Sequence, residues 1–270
     1  MTRREFGSSV VLVTGGASGI GLAIAREFGK NGARTALLDL NKKSLDDKVK
    51  DLKKGGIEAM GVVCDVTDEK GCRAAVDKVV QNFGGIDLLV NNAGITQRSG
   101  FLNTEVSVYR RVMDINFFGS VICTKAAIDS IIERRGMIIA VTSIAGLAPL
   151  LGRTGYAASK HAMHGFFTSL RAELKRDGVD VMIVCPGFTK TNLQTRALDG
   201  DGTVTKHPQS ITGRQYEPEE IAGAVYKGAV RRKRLLVLSF VGKFTHLLNK
   251  VAPGLYERIM VKKMSPELER

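Results

Sequence analysis

A chain of 270 residues can hold one large domain or two small ones, and with no Pro/Ser/Gly-rich linker the reading is one domain with an appended tail. A formal charge of +13 raises the question of nucleic acid, but no nucleic-acid-binding motif accompanies it, so that partner class is set aside. Cys64, Cys72, Cys123 and Cys185 are scattered without a CxxC pair, and no His/Cys cluster has metal-ligand spacing. From these a reducing cytoplasm and no bound metal are expected, and with no apolar signal region before position 10 secretion is not expected.

In chain order, a β-rich run at 10–14 leads into the segment TGGASGIG at 14–21, and further runs lie at 35–39, 59–64, 87–91, 137–143, 181–185 and 235–239. Helical patterns separate the first six. The spacing therefore predicts an α/β fold with a parallel seven-stranded sheet, doubly wound, with helices on both faces. The glycine-rich first turn, with a strand before it and a helix after, suits a dinucleotide pyrophosphate at a helix N-terminus, with Gly15, Gly19 and Gly21 allowing close approach. Asp39 ends the second run, where a carboxylate can accept from adenosine ribose hydroxyls and repel a phosphate on that ribose. This predicts NAD over NADP, with Lys42 and Lys43 as the competing phosphate partners.

Ser143 closes the apolar run 137–143, so its hydroxyl is expected at a strand's carboxyl end, the edge where open α/β sheets bind ligands. Tyr156 and Lys160 are four apart and share a helix face. An ammonium there would lower the phenol from its ordinary ~10 and make it a usable acid/base. His161 and His164 diverge from the direction of Lys160 and are read as structural. The loop 144–152 is almost wholly apolar, and Ala145, Ile95, Phe188 and Leu193 could line the same cleft. A hydrophobic alcohol or ketone is expected, the alternative being that these residues only seal loops against the core.

These features together resemble the short-chain dehydrogenase/reductase family over roughly the first 240 positions. The glycine segment 14–21, Asn91-Asn92-Ala93-Gly94, Ser143 with Tyr156 and Lys160, Asn116 in MDIN, and Pro186-Gly187 followed by Thr191 match its motifs in order. The resemblance implies a Rossmann-type domain over 1–240 and a catalytic set of Asn116, Ser143, Tyr156 and Lys160. Tyr156 would move the proton, Ser143 would hold the substrate oxygen, Lys160 would bind nicotinamide ribose, and Asn116 would hold a water leading from Lys160 to solvent. Cofactor contacts are implied at Gly15, Ser18, Gly19, Ile20, Gly21, Asp39, Asp65, Val66, Asn92, Ala93, Gly94, Tyr156, Lys160, Pro186, Gly187, Thr189 and Thr191. The family often has an aliphatic residue where Thr189 stands, and a basic one at Ser18 in its NADP-preferring members. Substrate contacts are implied at Ser143, Tyr156, Ala145, Phe188 and Leu193, beneath a mobile lid over about 190–216. A homodimer or homotetramer through helices near 104–133 and 154–176 is implied as well. The alternatives are an NADP-dependent reductase of a sugar or acyl thioester, and a cofactor-sensing regulator without turnover.

Residues 241–270 depart from many relatives. Apolar side chains at spacings of three and four predict amphipathic helices broken near Pro253-Gly254, and over 231–270 ten Lys/Arg face three Asp/Glu. Three placements stay open: over the chain's own cleft, across a subunit interface, or on an anionic membrane surface. The longest apolar stretch noted, 137–152, is interrupted by Thr142, Ser143, Gly146 and Pro149 and falls short of the ~20 residues a spanning helix needs. No transmembrane helix is expected.

Overall fold

The computed structural model describes residues 3–206, 209–211 and 213–268. Its first half runs β1 (Val10–Thr14), α1 (Gly19–Lys30), β2 (Arg34–Asp39), α2 (Lys42–Lys54), β3 (Ala59–Val63), α3 (Glu69–Phe83) and β4 (Leu88–Asn91). The second continues with α4 (Val106–Met113), a π-helical turn (Asp114–Phe118), α5 (Gly119–Glu133), β5 (Met137–Val141), α6 (Thr154–Glu173) and β6 (Asp180–Cys185). After these come α7 (Asn192–Thr195), α8 (Pro218–Val230), β7 (Leu235–Val237), α9 (Phe240–Val251) and α10 (Pro253–Met264).

All seven strands are parallel, in the order β3-β2-β1-β4-β5-β6-β7. The expected doubly wound fold is present. Strands such as VVLVT and MIIAV are buried on both faces, which is why they read as apolar runs rather than as alternation. Val10 and Leu12 point into the layer formed by α3, α5 and α6, with Val79, Ile131 and Phe167; Val11 and Val13 point into the opposite layer, with Phe28, Leu45 and Val225 of α1, α2 and α8. Several helix starts are fixed locally. Asn41 and Asp68 accept from backbone amides of α2 and α3, and Glu217 with Glu220 forms a capping box around Pro218 at the head of α8.

The strand order reverses between β1 and β4, so the crevice for ligands opens at the carboxyl ends of these strands. Two strand ends fall two residues short of the sequence expectation, and the other strand boundaries agree to within one residue. β5 stops at Val141, and Ser143 starts the short 3-10 turn Ile144–Gly146 with its hydroxyl accepting from Ala145 N at 3.1 Å. β7 stops at Val237 because Ser239 turns to cap α9, accepting from Gly242 N at 2.8 Å.

By length and composition alone the continuous helical run Val106–Glu133 is apolar enough to cross a bilayer, a point overlooked by the expectation drawn from 137–152. In the fold its inward face, including Cys123, Ala127 and Ile131, is buried in the layer beneath the sheet. The cysteines also gather more closely than their spacing suggested. Cys64, Cys72 and Cys123 form a buried row with Sγ separations of 3.6 and 3.7 Å, and thiol hydrogen bonding with burial pushes Cys72 up to about 12, which keeps it an inert thiol.

Candidate active site

The glycine-rich turn follows β1. Gly15 and Gly19 hold positive φ of 62° and 52°, the left-handed region that favours glycine, and a Cβ on Gly19 would approach Thr191. The third expected glycine serves a different end. A Cβ on Gly21 would sit 2.4 Å from Gly15 O and 2.5 Å from Asn92 Nδ2, so Gly21 is needed for packing inside the turn. Asn92 braces the same turn, donating from Nδ2 to Thr14 O at 3.0 Å and Gly15 O at 3.2 Å, while the Asn92 and Ala93 amides donate to Thr14 Oγ1.

Asp39 stands at the end of β2 with Oδ2 accepting from Ala17 N at 3.1 Å and Oδ1 from Asn41 N at 3.2 Å. Its carboxylate is thus fixed beside the turn with acceptor capacity to spare. Asp65 follows β3, and its Oδ1 accepts from both the amide and the hydroxyl of Thr67; Val66 is buried beside it. Asp65 thereby caps the turn that leads from β3 toward α3. The left-handed turn, the fixed carboxylate and a cavity reaching Ile20, Asn92, Gly94, Thr189 and Thr191 fit a dinucleotide laid across the switch point.

Ser143, Tyr156 and Lys160 line that same cavity, which has a volume of about 400 Å³. α6 brings the last two together. Tyr156, Lys160, Met163 and Phe167 repeat at spacings of four, three and four and form its buried face. Lys160 Nζ lies 5.7 Å from the Tyr156 ring centroid and donates to Val141 O at 3.1 Å. Burial pulls Lys160 down to about 8. Burial likewise pushes the Tyr156 phenol up, opposed by hydrogen bonding to the Ser143 hydroxyl and by the Arg153 charge. The lowering expected from the neighbouring ammonium is therefore outweighed: desolvation is the larger effect, and the phenol keeps its proton.

Asn116 occupies the π-helical turn, fully buried, where one extra residue in the helical ladder displaces it toward the sheet edge. Its Oδ1 accepts from Ile95 N at 2.8 Å, and Nδ2 donates to Ile95 O and to Ser159 Oγ, both at 2.9 Å. Its carbonyl accepts from Ser120 Oγ at 2.7 Å. The side chain thus braces the 94–96 segment against α6, with one lone pair of Oδ1 and the backbone carbonyl as the acceptors from which a water relay could start. Gly94 fits between these groups, since a Cβ there would be 3.0 Å from Asn116 Oδ1 and 3.7 Å from Lys160 Nζ.

His164 accepts or donates at Nε2 with Thr142 Oγ1 at 3.1 Å, and burial pulls it down to about 4; His161 points back to Ala157 O. Both act within the scaffold. The unfolded chain binds a proton near pH 6.5 that the folded chain refuses until about 4, so stability contributed by neutral His164 is present above pH 6.5 and lost as pH falls through that window. The midpoint of thermal unfolding of the wild type should fall from pH 6.5 to 4.5 more steeply than that of His164→Gln. Parallel slopes would remove the histidine from this account.

Ala145, Phe188 and Leu193 line the cavity as expected, and Pro186, Gly187 and Thr189 border it. Thr189 Oγ1 donates to Gly187 O at 3.1 Å, while Tyr216 N donates to Phe188 O and Lys190 N to Tyr216 O. The described part of the expected lid is tied down: Leu198 N donates to Thr96 O and Arg98 N to Leu198 O, both at 2.8 Å. His207, Pro208 and Thr212, within the expected lid, lie outside the described residues.

Two contributors were missed by sequence reasoning. Gln97 is fully buried, and its Oε1 accepts from Tyr156 N at 2.9 Å, satisfying an amide in the first turn of α6. The second is the ionic latch on the tail, which takes the first of its three open placements and roofs the cavity. Tyr256, Met260 and Met264 of α10 cluster with Ala148, Leu150 and Leu151 of the loop after Ser143, and Tyr256 Oη donates to Pro149 O at 2.8 Å. α9 presses on the same loop at Gly242, where a Cβ would strike Ile144 Cδ1 at 2.2 Å. Beyond α10, Glu267 pairs with Arg153, the residue just before α6, at 2.7 Å, with both side chains almost wholly buried at 2% and 3% exposure. Glu267 Oε1 also accepts from Ser210 N at 2.6 Å. The apolar spacing of the tail was visible in the sequence; the carboxylate that latches it had no local signature.

A family model described as short chain dehydrogenase matches residues 9–201. The chain is 37% identical over 267 residues to Dehydrogenase/reductase SDR family member 7B of Xenopus tropicalis, covering 96% of this chain and 86% of that protein. It is 32% identical to Dehydrogenase/reductase SDR family protein 7-like of Drosophila melanogaster, covering 97% and 82%. Among solved structures it is similar to a single-substitution variant of actinorhodin polyketide ketoreductase with NADPH, at a TM-score of 0.76 and 30% identity over 85% of this chain and 95% of that one. A short-chain dehydrogenase/reductase from Burkholderia phymatum in complex with NAD shares the fold, with a TM-score of 0.84 at 22% identity over 93% and 96%. With its motifs in order along the crevice and relatives over nearly its whole length, the chain belongs to the short-chain dehydrogenase/reductase family of oxidoreductases.

Proposed function

We propose that the protein is an NAD(H)-dependent oxidoreductase that interconverts a hydrophobic secondary alcohol and its ketone. The observation that carries this reading is a single cavity with Ser143, Tyr156 and Lys160 at one side and a largely apolar lining, part of it Leu248, Tyr256, Met260 and Met264 from the chain's own tail. When bound, the nicotinamide supplies or accepts the hydride. Tyr156 donates its proton to the carbonyl oxygen in reduction and removes the hydroxyl proton in oxidation. Ser143 holds that oxygen. Lys160 binds ribose hydroxyls and, as an ammonium, favours the phenolate that forms during turnover. The apolar walls exclude water and select the body of the substrate. Four buried, unpaired thiols support a reducing cytoplasmic setting, and the exposed Val106 and Phe118 along the α4–α5 run support a homo-oligomer built on that flank.

Asp39 supports NAD, because a phosphate on the adenosine ribose would face its carboxylate. Asp39→Ala should lower the preference for NADH over NADPH by about tenfold or more, equivalent to ~1.4 kcal/mol. Titrating both proteins with both cofactors checks this, and a panel of steroids, lipid ketones, sugars and acyl thioesters then tests the substrate class. One observation favours NADP: Lys43, exposed at the head of α2, has no acidic partner among the described residues, whereas Lys42 pairs with Asp46 at 2.6 Å. Tighter binding of NADPH than NADH by the wild type would establish that second reading.

A further inference from the structure

α9 turns one side toward the cavity, where Gly242 is buried and Leu248 half-buried, and leaves an apolar stripe exposed beside it. In that stripe Phe240, Phe244, Leu247 and Val251, at spacings of four, three and four, are 82%, 55%, 61% and 74% exposed. α10 adds the exposed Leu255 and Ile259. A contiguous exposed apolar surface of this kind on a protein marks an interaction site. Phe240, Phe244 and Ile259 also line the cavity, so this surface forms the rim of its mouth.

The charges on the same two helices decide what the surface meets. Lys243, Lys250, Arg258, Lys262 and Lys263 are set against the single acid Glu257. Two copies of the chain meeting through this face would bring cations against cations, which disfavours self-association. An anionic bilayer answers both features at once. Aromatic and aliphatic side chains enter the acyl boundary while lysine stems reach the headgroups.

We propose that the α9–α10 surface docks on an anionic lipid bilayer with the cavity mouth facing the membrane, so that an apolar substrate passes from the acyl region to Tyr156 without crossing water. Docking rests on exposure and charge alone; delivery of substrate rests on the function proposed above.

Co-sedimentation with vesicles separates the two. The whole chain should pellet with phosphatidylcholine vesicles containing phosphatidylglycerol at low salt, stay in solution with phosphatidylcholine alone, and release at ~1 M salt as screening removes the attraction. Leu247→Ser/Val251→Ser and Lys243→Glu/Lys250→Glu alter no cavity-lining residue. Each pair should weaken vesicle binding roughly tenfold or more, leave NADH affinity intact, and raise KM for a vesicle-dissolved ketone without altering KM for a water-soluble one. Absence of pelleting with anionic vesicles, or pelleting unaffected by both pairs, overturns the proposal. If the serine pair instead converts a dimer to a monomer in size-exclusion chromatography while vesicle binding is absent, the surface joins copies of the chain. Vesicle binding with no KM difference between the two ketones keeps the docking and sinks the delivery.

Discussion

Tyr156→Phe is expected to lower turnover by ~10²–10⁴-fold while leaving the dissociation constant of NADH near its wild-type value. The substitution removes one hydroxyl and almost no volume, so the buried face of α6 and the Gln97 contact to the backbone of residue 156 stay in place. The pH profile gives an independent reading. Burial holds the phenol in its protonated form, so in the wild type alcohol oxidation should accelerate as pH rises and the phenol ionises, and ketone reduction should slow over the same range. The phenylalanine variant should lose both slopes together with its rate. Wild-type turnover in that variant, with the natural slopes retained, would place proton transfer elsewhere.

Glu267→Ala should undo the roof of the cavity. Removing one member of a buried ion pair leaves the other charge uncompensated, at a cost of ~3–5 kcal/mol. Here the abandoned group is the Arg153 guanidinium, 3% exposed. The chain can avoid the full penalty by undocking α10 and letting water reach Arg153, so the loss should appear as an opened tail rather than as global unfolding. KM for an apolar substrate should rise by ~10²-fold, set by the docking energy lost, NADH binding should hold, and trypsin should cut at Lys262 or Lys263 far sooner. Arg153→Met/Glu267→Leu, which replaces the pair by apolar groups of similar reach, should recover much of the protease resistance. Unchanged KM and unchanged proteolysis in Glu267→Ala would show that the apolar cluster around Met260 and Met264 holds the tail without the latch.

The parts of the molecule that were legible in the sequence are those whose signals are local. β1 falls at the expected 10–14 because a strand buried on both faces must be a short, unbroken apolar run. The tail helices break where Pro253 was expected to break them, since proline at the first position of α10 cannot continue α9. Tyr156 and Lys160 meet because a spacing of four on a helix leaves little alternative. What stayed hidden depends on partners far apart in the chain. Arg153 and Glu267 are joined only when α10 has crossed the loop after Ser143, and periodicity in the tail shows that a stripe is buried without naming the surface that buries it. The ionisation of Tyr156 was misjudged for a related reason: the neighbouring lysine is visible in the sequence, and the degree of burial that outweighs it is not.

The roof that closes the cavity leaves the ribosome later than the crevice it covers. Residues 10–191 supply the glycine turn, the Asp39 carboxylate, the catalytic cluster on α6 and the Thr189–Thr191 border, whereas Tyr256, Met260, Met264 and Glu267 come at the far end of the described chain. Chains emerge and fold from the amino terminus, so the dinucleotide crevice takes shape while the chamber for the other reactant still lacks a wall. The residues that would hold the cofactor thus precede the chamber wall in the order of synthesis, and any cofactor bound before the tail docks would stabilise the sheet by mass action.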